Sequence, residues 1–113
     1  MKADLKKLLM QYGCDDASAI QEKTFSDCMM SIKEIRDELF FLGNILYEDL
    51  SNEVYVAQIR VGLWKMSAAT VAMQLQGKTL RCAGFAKEGK LKLGTLNKAF
   101  TKLEEVLYEK NSK

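Results

Sequence analysis

Not one proline occurs in the 113 residues of this chain, so no position lacks a backbone donor or carries the ring that breaks a helix. The apolar residues fall into that freedom at steps of three and four. Phe25, Cys28/Met29, Ile32, Ile35, Leu39, Leu42 and Leu46 form one such seam. Val54, Ala57, Val61, Trp64, Ala68, Val71 and Leu75 form a second. Spacing of this kind predicts amphipathic helices, and Ser51 and Asn52 between the two runs are natural N-cap residues, with Glu53 in the first turn that follows.

The expectation is therefore an all-α protein. It is a compact bundle of about four helices in one domain, 1–113, built on a long helical hairpin over about 25–50 and 53–76. A short N-terminal helix carries Leu5, Leu8, Leu9 and Tyr12 and ends at Gly13. A C-terminal helix over 95–110 opens at Thr95 and has Leu96, Ala99, Phe100, Leu103, Val106 and Leu107 on one face. Between them, glycines at 77, 84, 89 and 94 punctuate a stretch read as helix over 78–87. The alternation in Lys90-Leu91-Lys92-Leu93 also fits a short strand.

The composition, 48% hydrophobic and 28% charged, is that of a chain that folds. The three cysteines, Cys14, Cys28 and Cys82, are far apart, and no histidine is present to complete a zinc site. They read as reduced core residues. Met1 to Tyr12 lacks the apolar run and cleavage site of a signal peptide, and no apolar stretch reaches the roughly 18–20 residues of a membrane span. A cytoplasmic location is expected, without membrane contact.

Absence of histidine excludes His-based triads, His-ligated metals and imidazole proton transfer. The run Ala72–Thr79 fits the loosest spelling of a phosphate-binding loop, but a working loop needs a strand before it, a glycine-rich cradle and a helix after it. Its residues read instead as a helix ending at Gly77. Glu34 and Glu38 at i, i+4, with Asp49 and Glu53, are the carboxylates a metal-dependent helical enzyme would use; solvated helix faces explain them as well. Arg81 and Lys78 near Cys82 are positioned in sequence to lower a thiol pKa, yet no base accompanies them. The chain is expected to be non-enzymatic, with no cofactor and no metal.

Charge is distributed unevenly. Residues 1–56 hold 6 Lys/Arg against 11 Asp/Glu, and residues 57–113 hold 11 against 4, giving −5 and +7 and summing to +2. Lys78, Arg81, Lys87, Lys90 and Lys92 are the candidate contacts to an anion or a nucleic-acid backbone. Phe40, Phe41 and Tyr47 are the candidate apolar anchors for a protein partner or a homo-oligomer. The expected function is that of a small helical interaction protein, an adaptor, inhibitor or accessory subunit, that binds a larger protein or complex. The alternatives are a nucleoprotein subunit running along phosphates and, more remotely, the carboxylate-metal enzyme.

Overall fold

A computed structural model describes residues 2–62, 67–86 and 94–111 of the chain, with side chains through residue 108. Its centre is a five-stranded antiparallel sheet rather than a helical hairpin. The strands are β1 (Gln21–Phe25), β2 (Gly43–Asp49), β3 (Val54–Val61), β4 (Ser67–Gln76) and β5 (Thr79–Phe85), and they lie in the order β1-β5-β4-β3-β2. Three α-helices are present among the described residues: α1 (Leu5–Gln11), α2 (Ile32–Leu42) and α3 (Thr95–Asn111), with a single 3₁₀ turn at Ala17–Ala19. The all-α bundle expected from the spacing is thus replaced by an α/β arrangement of three layers.

The sheet has two apolar faces, and each receives helices. Tyr55, Ala57, Ile59 and Val61 of β3, with Ala69, Val71, Met73 and Leu75 of β4, face α2 and α3 in one core. Val56, Ala72, Ala83 and Phe85 lie on the opposite face, beneath Leu5 and Leu9 of α1. A central strand covered on both faces reads as a continuous apolar run. Steps of three and four can be picked out of such a run as readily as steps of two, which is why 53–76 imitates a helix.

Local chemistry sets the element boundaries. Ser31 and Glu34 form a reciprocal capping box: Ser31 Oγ accepts from Glu34 N at 3.2 Å and Glu34 Oε1 accepts from Ser31 N at 3.1 Å. Helix α2 therefore begins at residue 32, not 25. It ends at Leu42, and the chain enters β2 directly at Gly43. Ser51 and Asn52 cap no helix. They sit in the β2–β3 turn, where the Asp49 carboxylate accepts from Ser51 Oγ at 2.8 Å and from Asn52 Nδ2 at 2.8 Å. Those hydrogen bonds hold the Asp49 carboxyl below the ordinary carboxylate pKa. Glu53 closes the same turn in the left-handed region, at φ 57°.

The stretch expected to be helical over 78–87 is β5. Strands β4 and β5 are joined by the two-residue loop Gly77-Lys78, with Gln76 opposite Thr79 and Gly77 at φ 62°. The phosphate-loop spelling at Ala72–Thr79 therefore lies on a β-hairpin, with a strand where the helix should follow. The alternation at 90–93 lies outside the described residues, as does Trp64. Helix α1 stops at Gln11, two residues before Gly13, and rests on the sheet. Helix α3 buries Leu96, Ala99, Phe100, Leu103 and Leu107.

Candidate functional site

Helix α2 lies over β2, at one margin of the sheet. Tyr55 Oη donates to the Ile32 carbonyl oxygen at 3.1 Å, fixing the start of the helix to β3. Arg36, one turn on, places Nε 2.7 Å from Glu48 Oε2 on β2, and the carboxylate raises the guanidinium pKa further. Helix and strand therefore run back along one another. Ile35 and Leu39 fill the core, so at 100° per residue Phe40 falls on the flank that carries Arg36 and Phe41 on the outer crest. Exposure agrees: Phe40 is 54% and Phe41 82% exposed. The Arg36 guanidinium lies 4.9 Å from the Phe40 ring centroid, a cation–π contact.

Tyr47 does not join them. It is paired with Val56 on the opposite face of the sheet, half-buried, its ring 6.0 Å from that of Tyr12. What separates it from the helix is a β-bulge. Ile45 stands opposite Ala57 and Tyr47 opposite Val56, leaving Leu46 as the extra residue. The structure instead exposes two other apolar residues near this margin. Leu46, placed in the seam of a helix, is 38% exposed on β2, and Leu50 just beyond it is 50% exposed. β-branched and aromatic content after Gly43 was the available signal for a strand.

Two of the basic candidates, Lys78 and Arg81, lie among the described residues. Lys78 is exposed in the β4–β5 loop. Arg81 is half-buried and occupied internally: Nη1 donates to Gln74 Oε1 at 3.0 Å and to Gln76 Oε1 at 3.3 Å, and Nη2 donates to the Ala3 carbonyl at 3.2 Å. It borders a cleft of about 440 Å³ between the start of α1 and the β1–β5 margin, with Lys2, Asp4, Lys6, Glu22 and Thr24 on its walls. Lys6 and Glu22 pair across this cleft at 3.3 Å. Lys87, Lys90 and Lys92 lie outside the described residues.

Catalytic constellations fare no better. Glu34 serves the α2 cap and Asp49 the β2–β3 turn, and among the described residues no three His, Cys, Asp or Glu side chains are gathered as metal ligands. Cys82 is buried on β5, and burial beside Cys28 pushes its thiol pKa far up, opposite to what a nucleophile requires. All three cysteines are free and buried. A thiol reagent at pH 8 is expected to leave all three unmodified in the folded protein and to titrate three thiols after unfolding in guanidinium. Rapid labelling of Cys82 in the native state would contradict its placement.

No described helix is long and apolar enough to cross a membrane. Compared with known proteins, the chain matches no family model, curated sequence or solved structure.

Proposed function

We propose that this protein is a non-enzymatic interaction module that acts by occupancy and positioning, binding a larger protein through the outer surface of α2. The observation that carries the reading is the exposure of two adjacent phenylalanines, Phe40 and Phe41, on the last turn of that helix. Phe25, Phe85 and Phe100 are all buried. Exposing a large aromatic to water forgoes roughly 1.5–3 kcal/mol of burial, and large aromatic side chains anchor interfaces. A cytoplasmic setting suits the three free, buried thiols.

The phosphate-backbone reading is less favoured. Arg81 directs its donors at Gln74, Gln76 and Ala3 rather than outward, which removes it from the proposed basic edge.

The test is affinity capture from cells of the source organism with the native protein and with Phe41→Ser. Serine at so exposed a position should leave folding stability within about 0.5 kcal/mol. A partner retained by the native chain and lost by the variant is the expected result. An identical set of captured proteins from both would overturn the reading.

A further inference from the structure

The two margins of the sheet are treated differently. Strand β1 is short, and Gln21, Glu22, Lys23 and Thr24 are all exposed polar or charged residues, the usual means of discouraging another strand from pairing. Strand β2 is seven residues long and has Ile45, Leu46 and Tyr47 at its middle, with exposed Phe40 and Leu50 beside it. As a margin strand, it has one side of its backbone unpaired within the sheet.

Groups of opposite charge flank the two ends of β2, the cation being supplied by β3. At the Gly43 end lies Arg60 of β3: with the Asn44 amide turned to satisfy both its ends, the amide oxygen accepts from Arg60 Nη2 at 3.0 Å. At the other end Glu48 is offset by Arg36, leaving Asp49, whose hydrogen bonds to Ser51 and Asn52 leave it an acidic terminus. A margin flanked by a cation of the neighbouring strand at one end and by its own carboxylate at the other complements itself when two copies run antiparallel.

We propose that the open margin of β2 is covered by β2 of a second copy, antiparallel about a two-fold axis, joining two five-stranded sheets into one of ten strands. Each Asp49 then approaches Arg60 of the other copy, and Phe40 and Leu46 of both copies meet near the axis. The contact is isologous, so it closes at two copies. The proposal rests on reading the α2–β2 side as an interaction surface, and it leaves Phe41, on the crest of α2, free for a larger partner.

Sedimentation equilibrium of the native protein, Leu46→Lys and Arg60→Asp tests it, at concentrations up to roughly 200 µM, which populate any dimer with a micromolar dissociation constant. The expected result is twice the 12.8 kDa chain mass for the native protein. Both variants should dissociate at least 10-fold more readily while retaining native circular dichroism. Asp49→Arg added to Arg60→Asp should recover part of the lost association, since the swap restores opposite charges. A native protein that stays monomeric throughout would overturn the proposal while leaving the Phe41 capture experiment untouched. A dimer unaffected by either single variant would overturn it too, because its contact would lie elsewhere.

Discussion

Replacing Gly43 by alanine is expected to destabilise the protein by about 3 kcal/mol or more, the range seen when a close-packed backbone must separate. Gly43 is the hinge at which α2 becomes β2, and it stands opposite Ile59 on β3. A Cβ built there would overlap the Gln58 carbonyl oxygen, a backbone atom that cannot swing aside as a side chain would. Relief requires β2 to move away from β3, breaking ladder hydrogen bonds and lifting Phe40 and Leu46 from their places. Gly77 is the control. Its Cβ would meet nothing within 4 Å, and only its φ of 62° opposes alanine, a cost of about 1 kcal/mol. Guanidinium denaturation of both variants checks the ranking, and a Gly43→Ala protein as stable as Gly77→Ala would show that the junction is looser than described.

The second large effect is expected at Gln74, which lies on β4 and is only 2% exposed. Its Oε1 accepts from Ala3 N at 2.8 Å and from Arg81 Nη1 at 3.0 Å, and its Nε2 donates to the Asn52 carbonyl at 3.0 Å. One amide thereby ties the start of α1, strand β5 and the β2–β3 turn to the middle of the sheet. Gln74→Leu keeps nearly the same volume but deprives all three groups of this partner, and the expected cost is about 2–4 kcal/mol. The N-terminal segment should also become more open to proteolysis, since Ala3 N loses its partner and only the Arg81 Nη2 hydrogen bond to the Ala3 carbonyl still ties that backbone to the sheet. Gln76→Leu, at an exposed position two residues on, should change stability by less than about 0.5 kcal/mol. Equal effects at 74 and 76 would mean that the tether contributes little.

The ends of the chain were legible in the sequence, and the middle was not. Leu5, Leu8 and Leu9, and Leu96 through Leu107, each pack against one face of the sheet, so their one-sided periodicity is a true record of one-sided burial. Residues 54–61 and 67–76 imitate a helix because β3 and β4 are buried on both faces. Val54-Tyr55-Val56-Ala57 has apolar residues at every position, and a pattern without gaps carries no period. Composition held the missing signal: Val54, Val56, Ile59, Val61, Thr70 and Val71 are β-branched, and such residues suit strands. The absence of proline does not favour a helix over a sheet, since a sheet interior excludes proline as firmly as a helix does.

Two local motifs carry signals that the apolar spacing overrides. Ser31-Ile32-Lys33-Glu34 spells a capping box and marks where α2 begins. Gly77-Lys78 between two apolar runs is a hairpin signal that was read as a helix end. The aromatic anchors at Phe40 and Phe41 came from their place outside the seam and are exposed in the structure. Tyr47 was grouped with them on helical spacing, and the bulge at Leu46 placed it on the other face. No spacing rule predicts a bulge, because it breaks the period that such rules assume.

Pairing of β2 with a second copy would leave β1 as the bare margin of the sheet. Amide hydrogen exchange of the native protein at low and high concentration, followed for peptides spanning 21–25 and 43–49, measures this directly. Fast exchange is expected in β1 at both concentrations, with protection of β2 that grows with concentration and is lost in Leu46→Lys. Exchange in β2 that is as fast as in β1 at every concentration would contradict it.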